Sequence, residues 1–365
     1  MSSLFPDHPR EKNRAVVRWL DTLLALIVIM VAIGGITRLT ESGLSITEWN
    51  LITGVLPPLD EAAWQGEFEK YQASPEYQLR KQGMTLNQFK RIYFWEWLHR
   101  NWGRLIGVVY LLPLLVFLAL RRVRGAVAGA LLVGGVLLLA QGGWGWFMVK
   151  SGLVDKPFVS HYRLATHLLL ALLLFSWLLW LRLRLWPDIG PQPYEPESVP
   201  LTRWLWLGLL LLVVQIAWGA LVAGLDAGRV SSTYPLMQNR FLPPGLLTAP
   251  DGSGLRAGNL LDAPVGVHWL HRWLGTGLFL YLLVLWFRGQ RIYLNRRQQA
   301  FFNGILTCVC LQFLLGIATV VQKVPLKLAV LHQVNAVLLL GAVVGALQAL
   351  HAARPRKPPA GWQAG

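Results

Sequence analysis

The stretch GAVAGALLVGGVLLLAQGGWGWFMV, Gly125 to Val149, runs for 25 residues without a charged side chain. About 20 mostly apolar residues suffice to carry a helix across the hydrocarbon core of a bilayer. Comparable stretches begin near Val17, His99, Arg163, Leu205, His271, Phe301 and Leu328, so the sequence predicts eight membrane-spanning helices. Ten-residue alternating segments do not recur, which argues against a membrane barrel. The composition agrees. Only 14% of the 365 residues are charged, against about 25% in soluble domains. A soluble enzyme, a disordered chain and a coiled coil are therefore excluded, and 18 tryptophans suit interfacial aromatic belts.

The net charge of +16 would suggest nucleic acid in a soluble protein, but here it reads as topology. One set of short segments carries Arg10, Lys12, Arg14 and Arg18, then Arg121, Arg122 and Arg124, then Arg182, Arg184 and Arg203. It continues with Arg288, Arg291, Arg296 and Arg297, and ends with Arg354, Arg356 and Lys357. That is half of the 34 basic residues, and density of Lys and Arg in short loops marks the cytoplasmic side. Both termini are thus expected inside, and an even number of spans agrees with both lying on one side. The first span lies close to Met1 and is too long for a cleaved h-region, so it reads as a retained signal-anchor in a bacterial inner membrane. No nucleic-acid partner is needed. Membrane lipid is the expected surround. Cys308 and Cys310 are two residues apart in one span and point to different faces, so they are not expected to pair.

The Pro-rich stretch within 187–202 divides the chain into an N-terminal unit, 1–186, and a C-terminal unit, 203–365, with four spans each. The units resemble each other. His99-Arg100 matches His271-Arg272, and His167 matches His332. Gly43 matches Gly228, Pro57-Pro58 matches Pro243-Pro244, and Gln141-x3-Gly145 matches Gln312-x3-Gly316. Repeats with an even number of spans face the same way, so the expected architecture is all-α: two four-helix bundles related by a pseudo-two-fold axis along the membrane normal.

Six of the eight histidines fall at or near the outer ends of spans. His8 and His351 lie on the inner side and read as bland. His99, His271 and His332 are read as beginning their spans, and His167 as lying just inside another. Ionisable side chains within a membrane face the bundle interior. Two histidines on two helices of a four-helix unit can ligate a haem iron from both sides. Zinc is less well served, because no His-x3-His or cysteine cluster accompanies them. The units differ at one position: Glu96-Trp97-Leu98-His99-Arg100 faces His268-Trp269-Leu270-His271-Arg272. Glu96 shares a helix face with His99. Beside a haem edge it could act as a general base or stabilise positive charge; alternatively it pairs with Arg100. Arg100, Arg104 and Arg272 could bind haem propionates or anchor helix ends. The long outer loop 39–97 carries helical patterns at 60–72 and 85–91, the latter with a capping box at Thr85 and Gln88. Its aromatic residues suit helices on the membrane surface, in position to cover an outer site.

The run GGITRLTESGLSITEW, Gly34 to Trp49, resembles the signature of the haem A synthase family. So do Glu96-x-x-His99-Arg100, Ser160-His-Tyr-Arg-Leu-Ala-Thr-His167, and Pro325-Leu326 leading to His332-Gln333. The resemblance covers nearly the whole chain, and the lack of a loop cysteine pair is similar to the branch found in proteobacteria and mitochondria. It implies oxidation of the C8 methyl of haem O to a formyl group by two hydroxylations and loss of water. It also implies a haem b on His271 and His332 in the C-terminal unit. The substrate haem would lie near or on His99 and His167, with Glu96 assisting methyl oxidation. The haem sites would be near the periplasmic side. Handover of an insoluble haem implies contact with the farnesyltransferase that makes haem O, while the residues name neither the electron acceptor nor an oligomeric state, so a homo-oligomer stays open. His268, where a neutral polar residue is usual, and His161 are reserve ligands. Two other readings remain beside this one: a diheme electron-transfer protein in which Glu96 relays protons, and a transporter whose histidines bind protons or metal. The latter lacks paired Gly/Pro breaks at mid-membrane.

Overall fold

In the computed structural model of the chain, residues 14–49, 53–154, 159–185, 198–248 and 256–352 are described. His8, the basic residues at 10, 12, 354, 356 and 357, and positions 187–197 of the expected linker lie outside them. Among the described residues the secondary structure is helical, apart from one isolated bridge between Met237 and Arg240. Eight helices are long and apolar enough to cross a membrane. They are α1 (Arg14–Leu39), α4 (Leu86–Ala119), α5 (Gly125–Val154), α6 (His161–Leu185), α7 (Ser198–Gly224), α9 (Pro264–Gly289), α10 (Arg296–Val321) and α11 (Leu326–Ala352). Between α1 and α4 lie α2 (Glu61–Gln72) and α3 (Pro75–Arg80), and the short α8 (Asn259–Asp262) precedes α9. Residues 198–202, expected in the linker, form the first turn of α7.

Most helices begin a few residues before their apolar windows, because polar first turns are also helical. The largest difference is at α4, which starts at Leu86 and runs for 34 residues. The expected short helix at 85–91 is the first two turns of this long helix, capped by Thr85 and Gln88 as a capping box. Residues 86–97 of the expected loop are therefore helix. The expectation that His99, His271 and His332 begin their spans is corrected: they lie thirteen, seven and six residues past the starts of α4, α9 and α11.

Packing follows the chain. α1 pairs with α4, α5 with α6, α7 with α9, and α10 with α11. Contacts of α4 with α5 and of α1 with α6 close the first four helices into one set. Contacts of α9 with α10 and of α7 with α11 close the second in the same order. The sets meet along α1, α6, α7 and α11. A single cluster that includes Leu20, Leu23, Leu131, Leu178, Leu205, Leu282, Phe302 and Val343 fills this interior. The outward faces of α4 and α5 expose Leu111, Leu112, Leu115, Val136 and Leu139, a band suited to lipid.

Polar contacts mark the two ends. At one end Arg182 of α6 grips Asp21 of α1 at 2.6 Å, and Arg297 of α10 donates to Gln348 of α11 at 2.8 Å. The start of α1 and the end of α11 therefore share a face. At the other end lie both long connections. The first folds into a cap of its own: Phe68, Tyr71, Phe89, Ile92 and Tyr93 pack together with Trp64, Tyr77 and Trp97 around them. These aromatics build a small core instead of lying singly on a surface. Asp60 caps α2 and Ser74 caps α3.

Candidate functional site

Each odd-numbered span presents a glycine to the histidine of the span that follows. A Cβ on Gly34 of α1 would lie 3.1 Å from His99 Cε1, and one on Gly145 of α5 would lie 3.1 Å from His167 Cε1. In the second set, Gly219 of α7 faces His271 at 3.0 Å and Gly316 of α10 faces His332 at 3.1 Å. Only a residue without a side chain lets an imidazole approach the neighbouring helix so closely. The four histidines are thus placed by one repeated device. His99 and His167 lie on α4 and α6 of the first set, and His271 and His332 on α9 and α11 of the second. Each four-helix set thus contains two of the four histidines, each opposite a glycine of the preceding span.

His167, His271 and His332 lie six or seven residues below their helix starts, which is about 10 Å at 1.5 Å per residue. His99 is thirteen residues down, but the first turns of α4 belong to the cap. All four therefore sit toward the end of the bundle that carries the long connections.

Above the first pair, Glu96 is 2% exposed. Its Oε2 accepts from the Ser45 hydroxyl at 2.7 Å and from the Ile46 amide at 2.8 Å, and its Oε1 accepts from Arg100 at 2.6 Å. Arg100 also donates to the carbonyls of Ile46 and Glu48 and lies over the Trp49 ring. Above the second pair, Arg272 repeats this. It donates to the carbonyls of Ser231 at 2.9 Å and Thr233 at 2.7 Å, and to His268 Nε2 at 3.0 Å. Each arginine therefore latches the connection that precedes its helix by two carbonyls two residues apart. The sequence leaves both open between propionate binding and anchoring of helix ends. Their guanidinium groups are largely spent on the loops, although Arg100 Nε is buried without a partner. Arg104 behaves similarly, donating to Gly54 and Asn101.

The two reserve ligands have neighbours of their own, and His161 Nε2 is buried without a hydrogen-bond partner. His268 is 1% exposed and takes the place of Glu96, accepting from Arg272. His161 opens α6, lies tilted against the Tyr162 ring and is 3.4 Å from Asp262, next to the Tyr162–Asp262 hydrogen bond of 2.6 Å. That contact and the Arg38–Asp226 pair tie the two sets together at the same end. Cys308 and Cys310 are free.

One pattern escaped the sequence reading. Gln141-x3-Gly145 and Gln312-x3-Gly316 have a third copy in α7, Gln215-x3-Gly219, and a variant in α1, Met30-x3-Gly34. The signal was present, but only the helix pairing shows that each glycine meets a histidine.

As a haem site the arrangement is coherent. Each set holds two of these histidines, and Nδ1 of His99 and of His167 are buried without a partner. No group of three or more His, Cys, Asp or Glu side chains forms a metal cage among the described residues.

Comparison with known proteins converges on one answer. The family described as cytochrome oxidase assembly protein matches residues 17–344. The haem A synthase of Rhodospirillum centenum is 44% identical over 358 residues, covering 97% of this chain and 92% of its own. That of Sphingopyxis alaskensis is 43% identical over 338 residues, covering 92% of each. That of Flavobacterium johnsoniae is 38% identical over 343 residues, covering 93% of this chain and 99% of its own.

Proposed function

The chain belongs to the cytochrome oxidase assembly protein family and to its haem A synthases, and from that premise we infer that it converts haem O to haem A by oxidising the C8 methyl of the substrate to a formyl group. The observation that carries the division of labour is the contrast between Glu96 and His268 in otherwise matching latches. We assign His271 and His332 to a resident haem b and His99 and His167 to the substrate haem, with the two units related by a pseudo-two-fold axis. When bound, the haem b supplies one-electron redox chemistry.

The chain's own residues do the rest. The glycines let the imidazoles stand close to the neighbouring helices. The cap over the first set keeps water from the reacting methyl. Glu96 places a carboxylate one helical turn above His99. Both of its oxygens already accept hydrogen bonds, so its main contribution is a fixed negative charge that stabilises positive charge developing at the methyl carbon. Arg100 holds that carboxylate in place. The unit sits in a bacterial inner membrane, with both termini cytoplasmic and the haem-binding end periplasmic. There it would take substrate from the farnesyltransferase that makes haem O.

The test is co-expression with that farnesyltransferase, followed by chromatography of the extracted haems. Haem A together with protohaem supports the reading. A fully loaded protein that never contains haem A would mean a diheme electron carrier instead.

A further inference from the structure

The two sets also differ just below the histidines, where the second and third helices of each set meet. In the second set Phe279 of α9 stacks on Phe313 of α10, with ring centroids 4.4 Å apart and planes 7° from parallel, and Tyr234 packs edge-on against Phe313. Phe279 follows His271 by eight residues, and Phe313 follows Gln312 by one. The residues at the same places in the first set, eight after His99 and one after Gln141, are Gly107 and Gly142. A stacked aromatic pair is replaced by a pair of glycines.

Glycines between membrane helices ordinarily let the backbones approach. These two do not. A Cβ on Gly107 or on Gly142 would meet no atom within 4 Å, and neither would one on Gly143. α4 also packs against α5 more sparsely than α9 against α10. The gap has definite limits. On the outer side Gly142 adjoins Gln141, whose Nε2 lies 3.2 Å from His167 Nε2 and whose Oε1 is buried without a partner. On the inner side, within one turn of Gly107, the Tyr110 hydroxyl donates to the Leu131 carbonyl and joins α4 to α5. Gly107 is about 12 Å below His99 at 1.5 Å per residue. Leu105 and Val108 of α4 and Leu139 of α5 are exposed on the flanking helices. The result is an apolar slot that starts at the histidine level and opens sideways to lipid.

We propose that this slot between α4 and α5 is the subsite for the farnesyl chain of haem O, and that the Phe279–Phe313 stack closes the matching place in the second set to any haem that carries such a chain. This rests on the reading of His99 and His167 as the substrate site. The physical reason is that a farnesyl chain is hydrocarbon and gains by staying out of water. A slot leading from the histidines into the bilayer lets the macrocycle enter the bundle while its chain stays in apolar surroundings. Protohaem has no such chain and needs no exit. Selection is then made by exclusion in one set as well as by accommodation in the other.

The test copies each arrangement onto the other set in the full-length protein, made with the haem O-forming farnesyltransferase present, and separates the extracted haems by chromatography. Gly107→Phe with Gly142→Phe fills the slot. It is expected to lower haem O plus haem A at least about tenfold, the scale for losing even one methylene's fit in an apolar pocket, with haem b kept as the sign of a folded protein. Leu112→Phe, on the lipid face of α4, is the control for a ring added elsewhere and should match the parent. The converse variant keeps the proposal testable should the filled protein fold poorly. Phe279→Ala with Phe313→Ala, in a His99→Ala/His167→Ala background, is expected to carry haem O that the background alone lacks. Parental haem O and haem A in the filled protein would overturn the proposal, as would an equal loss in Leu112→Phe or the absence of haem O from the converse variant. Haem O or haem A held by the His99→Ala/His167→Ala background itself would instead overturn the placing of the substrate in the first set, and the proposal with it.

Discussion

The first turn above each leading histidine is built alike in the two four-helix sets and charged differently. Arg100 and Arg272 each clamp two loop carbonyls, yet one shares its turn with a buried carboxylate and the other with a buried imidazole. A carboxylate beside a guanidinium forms a fixed ion pair in a low-dielectric site, where a charge acts strongly on its surroundings. An imidazole accepting from the same guanidinium is neutral and leaves the arginine uncompensated except by carbonyl dipoles. The proposed division between a retained haem and a reacting one rests on this difference in charge.

The largest expected effect comes from removing ligands on either side of this contrast. His271→Ala or His332→Ala should abolish haem b retention, whereas His99→Ala should abolish haem A formation and leave haem b in place. Haem extraction from the purified variants measures both. Loss of haem b from His99→Ala alone would exchange the roles of the sets.

Next in size is the charge itself. Glu96→Gln keeps shape and most hydrogen bonds but removes the negative charge, and should slow haem A formation by about 10²–10³, the scale for deleting one preorganised electrostatic group. Glu96→His copies the second set onto the first and should be as damaging, with haem b content unchanged in each. Normal haem A yield from Glu96→His would show that the difference between the sets is incidental.

A smaller effect, on stability, should follow from Arg100→Lys and Arg272→Lys. A lysine cannot bridge two carbonyls and a third acceptor as a planar guanidinium does. Each lost charged hydrogen bond is worth about 1.5–3 kcal/mol. Thermal unfolding should show the larger loss for Arg100→Lys, since it also strands Glu96. Equal losses would mean that the ion pair adds nothing beyond the latch.

The spans, their pairing by histidine and the Glu96/His268 difference were legible in the sequence because each is a local departure from an apolar background. What was not legible depended on which helix meets which. Met30 and Gln215 are unremarkable within α1 and α7 until Gly34 and Gly219 are seen against His99 and His271. The loop carbonyls that Arg100 and Arg272 reach carry no sequence signal, so the two latches could not be read in advance. The cap over the first set was read as surface helices, since aromatic spacing alone does not tell lipid from a small protein core.

That cap also gives the last and mildest contrast between the sets. Glu76, 4% exposed, accepts from the Tyr71 hydroxyl at 3.0 Å and lies 3.5 Å from Lys81. Burial pushes its carboxyl above the ordinary 4.5, and the lysine and tyrosine offset only part of that. A carboxyl raised in the folded state is more easily protonated there than in the unfolded chain. The resulting stability is full below about 4.5 and is lost as pH rises through the elevated value. Among the described residues of the second set's connection, 225–263, no buried acid corresponds to it. Amide exchange over 61–80 should therefore quicken as pH climbs out of the acidic range, beyond the intrinsic rise in exchange rate. Residues 227–246 should show no such excess. Glu76→Gln, which cannot ionise, should flatten the difference, and a profile identical to the parent would assign the pH dependence to another group in the cap.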